Sequence, residues 1–240
     1  MITDLFPFIA CLLIGYVCGA FPTGYYVGKL WNVDVRRHGS GRTGGTNVLR
    51  SVGWFGFFLT AFGDIAKGAV GVYLAQFIFP KLYDAHTLAV LGAVIGHNYS
   101  LWIAILTKPD PRAPNEPTLA GKIRRLAQIS RGGAGVGTTG GAFFALFPPI
   151  LLIILPIFAA ILFIVRYASV TSLSVFVIAS ALMFYFASTG TVPWSYFGMM
   201  VVCSVIVFIV HIPNLQRLRA GTEKRFGERL GQRRDAPAKE

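Results

Sequence analysis

Of the 240 residues, 54% are hydrophobic and only 13% are charged, about half the charged share of a soluble domain. This excludes an ordinary soluble protein and points to an integral membrane chain. The formal charge of +12, from 22 Lys+Arg against 10 Asp+Glu, sits in loops and tail, which suits anionic headgroups or phosphorylated substrates. No basic, aromatic-interleaved module stands apart from the apolar runs, so no nucleic-acid partner is expected.

The first apolar window runs from about 5 to 30. Asp4 precedes it with no basic residue, so it reads as a retained span rather than a cleaved signal. Further windows fall at 55 to 79 and 86 to 106, each near the ~20 residues needed to cross a bilayer. The segment between Lys29 and Arg50 is rich in cations, whereas the 80 to 86 turn has only Lys81 beside Asp84. The positive-inside rule then puts the N-terminus outside and the 31 to 54 segment in the cytosol.

Residues 107 to 130 read as a proline-containing, basic cytosolic insertion. From 136 to 212 the chain is almost continuously apolar, and a basic cytosolic tail occupies 224 to 240. A cytosolic tail requires an even number of crossings here, and Pro148-Pro149 supplies the split, since proline ends or kinks a helix. The crossings become 136 to 147, 150 to 165, 170 to 188 and 194 to 212. The expectation is a single all-α, polytopic domain over 1–240, with about seven transmembrane helices.

That parity sets three polar, glycine-bearing segments on one face: 31 to 54, 107 to 135 and 211 to 230. In the first, four glycines and Arg36, Arg37, Arg42 and Arg50 surround Ser40, Thr46 and Asn47. Such a loop can turn its amides into an anion-binding concavity, or be a solvated basic loop. In the second, Arg131 precedes Gly132-Gly133-Ala134-Gly135 and a helix start, which suits phosphate but also close packing through small residues. No Walker GK[ST] ending is present.

Asp64 and Lys67 lie three apart in an apolar helix, and ionisable groups at that depth pair or line an aqueous cavity. His97 and His211 sit at cytosolic span ends, as interfacial hydrogen bonders or as site residues beside Asn214 and Arg217. Neither has a carboxylate at ligand spacing, so no metal is expected. Ser40 has no local base and no nucleophile elbow, which disfavours a covalent hydrolase. Cys11, Cys18 and Cys203 lie in apolar runs and read as core residues.

Taken in order, Ser40-Gly41-Arg42-Thr43-Gly44-Gly45-Thr46-Asn47-Val48-Leu49-Arg50, then Asp64-Ile65-Ala66-Lys67-Gly68, Gly96-His97, the glycines of 132 to 135, and His211 to Glu223 resemble a known family. It is that of the acyl-phosphate-dependent glycerol-3-phosphate acyltransferases of bacterial membranes. The resemblance implies a plasma-membrane enzyme with a cytosolic active site that moves an acyl group from acyl phosphate to the 1-hydroxyl of sn-glycerol 3-phosphate. It implies no cofactor, and a monomer is expected.

Carried over by motif, Ser40, Gly41, Thr46, Asn47 and Arg50 belong to the first element of the site. His97, Gly132, Gly133 and Gly135 belong to the second, and His211, Asn214, Arg217, Gly221 and Glu223 to the third. The expected catalytic set is Ser40, Arg50, His97, His211, Asn214 and Glu223. The remaining motif residues, with Arg42, Asp64, Lys67 and Arg131, are expected to bind substrate. Arg50 and Arg217 would hold phosphate, and the glycine loops would present amides to it.

The chain departs from the family pattern at Ala134, where the GGKG motif has lysine, and at Arg42, where an asparagine usually follows Ser-Gly. Ile212 and Pro213 also replace a charged pair. Arg42 or Arg131 is expected to supply the missing cation. Other readings are a weakly catalytic paralogue that binds acyl phosphate or lipid, and a small-anion transporter built on Asp64 and Lys67.

Overall fold

The computed structural model describes residues 2–106 and 118–228. Among them the fold is helical: α1 (Ile2–Gly19), α2 (Thr23–Leu30), a 3-10 turn at Val35–Arg37, α3 (Gly45–Ser51), α4 (Trp54–Ile78), α5 (Tyr83–Asn98), α6 (Leu101–Leu106), α7 (Leu119–Ile129), α8 (Val136–Leu146), α9 (Pro148–Val165), α10 (Ala168–Ser188) and α11 (Trp194–Arg219). The only extended pairing among the described residues is an isolated bridge between Tyr99 and Arg131.

Among the described residues, five segments are long and apolar enough to cross a membrane: Leu5–Leu30, Trp54–Ile78, Pro148–Val165, Ala168–Ser188 and Trp194–Arg219. This makes the chain a membrane protein. The split at Pro148-Pro149 is real, because α8 ends at Leu146 and Pro148 opens α9, where proline's missing N–H costs nothing.

Three windows expected as plain spans or loops are broken or extended. The 5 to 30 window is interrupted between Gly19 and Thr23, because Pro22 cannot donate and biases Phe21 away from helical geometry. The freed carbonyls find side chains from α4 and from the break between α5 and α6. Ser100 Oγ donates to Ala20 O, and Lys67 Nζ donates to Phe21 O at 2.8 Å. The 86 to 106 window breaks at Tyr99 and Ser100, where the backbone turns aside to pair with residues 130 and 131: Ser100 N–H donates to Ser130 O at 2.7 Å. The last span does not stop at 212, since α11 carries its helix through Pro213 to Arg219.

Helix contacts are backbone to backbone where glycine permits. A Cβ on Gly15 or Gly19 of α1 would run into Ala89 or Ala93 of α5, and one on Gly92 or Gly96 would strike Leu12, Tyr16 or Ala20. These two pairs, spaced by four, let α1 and α5 lie against each other without intervening side chains. Gly68 of α4 and Gly141 of α8 do the same against Thr138 and Ile65. The core around Val72, Val94, Phe143, Met183 and Cys203 is fully buried. Cys11 and Cys203 are buried and Cys18 is partly so, all as free thiols.

Of the expected insertion, residues 118–129 form a cap and the helix α7, with Thr118 Oγ1 accepting from Gly121 N–H at 3.0 Å. Residues 107–117, and 229–240 of the expected tail, lie outside the described residues.

Candidate active site

Asn47 organises the first loop. It is 3% exposed, its Nδ2 lies 2.7, 3.0 and 2.8 Å from the carbonyls of Val35, His38 and Arg42, and its Oδ1 accepts from Ser40 N–H at 3.1 Å. A side-chain amide offers two donors and one acceptor group, so Asn47 is consumed in shaping the loop and has nothing left for a substrate. Among the described residues, Ser40 Oγ is engaged only by Arg42 N–H, at a long 3.4 Å.

The second loop differs from expectation in its amides. Gly132 N–H donates to Asn98 O at 2.9 Å and Gly133 N–H to His97 O at 3.1 Å, so neither is available to a phosphate. They tie the loop to the end of α5, and a Cβ on Gly133 would overlap the His97 ring. The open donors come next in sequence. Gly135, in left-handed geometry at φ 87°, begins α8, and the first amides of a helix have no acceptor within it. Ala134, Gly135, Val136 and Gly137 all line the cavity described below, with the positive end of the α8 dipole behind them.

The third segment is a helix end rather than a loop. Gly221, at φ 67°, closes α11 in a Schellman turn: its N–H donates to Leu218 O at 3.1 Å and that of Thr222 to Arg217 O at 2.8 Å. The reversal brings Glu223 back onto α11. Its Oε1 accepts from Asn214 Nδ2 at 2.8 Å and its Oε2 from Arg217 Nε at 2.7 Å. One turn of helix earlier, His211 Nδ1 sits 2.8 Å from Val207 O. A carbonyl can only accept, so Nδ1 carries the proton and Nε2 of the neutral ring is an acceptor.

These parts converge. A cavity of about 520 Å³ is lined at its polar end by Ser40, Arg42, Thr46, Asn47, Arg50, Asp64, His97, Gly135, His211, Asn214 and Glu223. It continues as an apolar gallery past Phe143, Ile150, Ile154, Phe158, Leu162, Val175, Phe176 and Met200. Gly41, Lys67, Arg131, Gly132, Gly133, Arg217 and Gly221 are not part of that lining. Lys67 is paired with Asp64 within α4 at 2.9 Å, and its hydrogen bond to Phe21 O pins α4 to the Pro22 break. Asp64 Oδ1 also lies 3.6 Å from His97 Nδ1.

The electrostatics are cationic. Arg42 Nη1 donates to Gly133 O at 2.8 Å, which brings a guanidinium from the first loop to the residue next to Ala134. Burial, and then repulsion from Arg131, push the Arg42 guanidinium down to about 10. Burial likewise lowers Arg131, with Arg217 adding repulsion, and lowers Arg50. Arg217 lies close enough to repel Arg42, Arg50 and Arg131, while Glu223 pairs with Arg217 and attracts Arg50. A polyanion placed among these guanidinium groups would relieve their mutual repulsion. The described residues hold no cluster of His, Cys, Asp and Glu able to bind a metal.

The sequence reading did not single out the apolar residues that line the gallery, or Phe226. Phe226 N–H donates to Arg166 O at 2.6 Å, and its ring meets Trp54 and Phe57 at 5.6 Å between centroids. Arg50 Nη2 reaches Lys224 O at 3.2 Å, so residues 223–228 close one side of the mouth. A lone phenylalanine in a basic segment was the available signal.

Fold and site together define an integral membrane protein with a cationic mouth opening onto an apolar gallery. The family described as glycerol-3-phosphate acyltransferase matches residues 9–107 and 118–221; the chain belongs to this family and is an acyltransferase. It is 32% identical over 223 residues to the glycerol-3-phosphate acyltransferase of Thermus thermophilus, covering 91% of this chain and 95% of that one. With glycerol-3-phosphate acyltransferase 2 of Moorella thermoacetica it shares 34% over 222 residues, covering 92% and 98%. Two crystal structures of PlsY (YgiH), an integral membrane glycerol 3-phosphate acyltransferase, superpose on it. The glycerol 3-phosphate form gives a TM-score of 0.73 at 27% identity, covering 92% of this chain and 96% of the other. The lysophosphatidic acid form gives 0.72 at 26%, covering 92% and 95%.

Proposed function

We propose that the protein transfers an acyl group from an acyl phosphate to the 1-hydroxyl of sn-glycerol 3-phosphate, releasing lysophosphatidic acid and inorganic phosphate. The observation that carries this is the continuity of one cavity, cationic at one end and apolar at the other. A long acyl chain fits the gallery, at about 0.8 kcal/mol for each buried methylene. Its reactive head then falls among Ser40, Arg42, Arg50 and the open amides of α8.

Acyl phosphate is already activated, so the reaction needs alignment and charge stabilisation rather than a protein nucleophile. The hydroxyl oxygen attacks the acyl carbon, the bond from that carbon to the phosphate oxygen breaks, and the hydroxyl proton ends on the departing phosphate. His211 Nε2, an acceptor because Nδ1 is engaged, relays that proton. Asn214 and Arg217, oriented by Glu223, hold the phosphate of glycerol 3-phosphate. Arg42 stands in for the lysine that Ala134 lacks.

The same reading sets the enzyme in a bacterial plasma membrane as a monomer, with the N-terminus outside and the site and C-terminus cytosolic. The cation-rich 31 to 54 segment supports that orientation. α5 with α6, and α8, complete seven crossings. At 11 residues α8 extends only about 16 Å, which suits a helix surrounded by protein.

The test is incubation of purified protein with palmitoyl phosphate and glycerol 3-phosphate, with palmitoyl-CoA as the competing donor. Equal release of lysophosphatidic acid and phosphate from the first donor alone is expected. Turnover from the thioester alone, or none with either donor, overturns the proposal.

A further inference from the structure

Helix α7 carries an apolar face that the described residues leave uncovered. Leu119, Ile123 and Leu126 recur at the spacing of one helix face and are 75%, 59% and 61% exposed. Gly121, on the other side, is buried. Lys122, Arg124 and Arg125 are exposed, and the helix LAGKIRRLAQI contains no acidic residue. An exposed apolar face of this kind needs an occupant.

Two features identify it. α7 packs beside α6, which exposes Leu101, Trp102 and Ile105 next to Tyr99; these apolar and aromatic residues end a hydrophobic segment in a membrane protein, where aromatic rings mark the headgroup level. The apolar strip of α7 continues that surface. The cations beside it suit anionic headgroups, and a helix with one apolar face and one basic face lies in the interface plane.

We propose that α7 is an in-plane anchor, dipping Leu119, Ile123 and Leu126 into a bilayer surface rich in anionic lipid. Its C-terminal end leads through Ser130, which accepts from Ser100 N–H at 2.7 Å, and the Tyr99–Arg131 bridge into Gly132 and Gly133. The anchor therefore steadies the second wall of the active site. This proposal does not depend on which acyl donor the enzyme uses.

The experiment uses the full chain with its three cysteines replaced and a nitroxide at Ile123→Cys, or at Gln128→Cys as a control on the opposite side. The protein is reconstituted in nanodiscs of phosphatidylcholine, alone or mixed with phosphatidylglycerol. Accessibility to oxygen and to a water-soluble nickel chelate is read by electron paramagnetic resonance. The label at 123 is expected to be oxygen-accessible and nickel-shielded, more so with phosphatidylglycerol, while the label at 128 stays in water. Replacing Lys122, Arg124 and Arg125 with Gln removes the phosphatidylglycerol effect, at about fivefold per cation. Nickel access at 123 in both lipids, or equal immersion in both, overturns the proposal. Dipolar broadening that vanishes on dilution with unlabelled protein also overturns it, by assigning the face to a second copy.

Discussion

Arg217 and Glu223 meet at 2.7 Å, Nε to Oε2, only because Gly221 reverses the chain at the end of α11. The carboxylate is 4% exposed, and its other oxygen takes Asn214 Nδ2. Both carboxylate oxygens are thus engaged in holding Asn214 and Arg217 in place.

Glu223→Ala is expected to lower kcat/KM for glycerol 3-phosphate roughly 10- to 100-fold, the worth of a charge-assisted hydrogen bond at about 1.5–3 kcal/mol. Glu223→Gln, which keeps one acceptor for Asn214 or Arg217, should lose less. The difference should lie mainly in KM, and steady-state kinetics of the two variants measures it. An unaltered Ala variant would exclude the orienting role.

Asn47→Asp should be as damaging as Asn47→Ala despite its matching shape. The carboxylate cannot donate, and it would face the carbonyls of Val35, His38 and Arg42. Each buried acceptor left unpaired costs about 1–3 kcal/mol, so both a lowered Tm and a loss of activity of roughly 100-fold or more are expected. Activity retained by the Asp variant would contradict the hydrogen-bond assignment.

Arg42→Asn is expected to cut activity at least roughly tenfold, the effect of one charged hydrogen bond. Adding Ala134→Lys should recover most of it, because the Arg42 guanidinium already reaches Gly133 O beside that position. The pH dependence has a defined sign. Arg42 falls to about 10 from an ordinary 12.5, so the folded protein sheds this proton first. Its burial penalty is full below about 10 and fades by 12.5. Phosphate binding runs oppositely: it is present below about 10 and lost above. The KM for glycerol 3-phosphate should rise as pH passes that value, and Arg42→Asn should flatten the rise.

Gly133→Ala should displace the His97 ring, which occupies the space a Cβ would need. Overpacking of this kind costs about 1–3 kcal/mol. The expected result is a Tm several degrees lower with activity strongly reduced, measured by thermal unfolding in detergent beside turnover. Gly198→Ala, where a Cβ meets nothing within 4 Å, serves as the neutral comparison.

Much of the site was legible in the chain. Ser40, Arg42, Arg50, His97, His211, Asn214 and Glu223 were all expected there, and all line one cavity. Their roles were less legible. Asn47 and Gly221 belong to motifs that suggest ligand contact, yet one pins a loop and the other caps a helix. Gly132 and Gly133 look like phosphate-binding amides, but His97 O and Asn98 O already hold them. The spans at 5 to 30 and 86 to 106 read as continuous because hydropathy averages over Pro22 and Ser100.

The amino-acid sequence by itself determined an all-helical membrane chain, the clustering of cations in three glycine-bearing segments and the break at Pro148. Transfer free energy, charge and proline geometry act over neighbouring residues, so they can be read locally. Only the tertiary structure decided which amides and carboxylate oxygens remain free, that Phe226 closes the mouth and that α8 to α11 enclose a gallery. Those outcomes depend on partners far apart in the chain, such as Gly133 and His97 or Phe226 and Arg166. A buried donor or acceptor takes whichever partner the packed helices bring within reach.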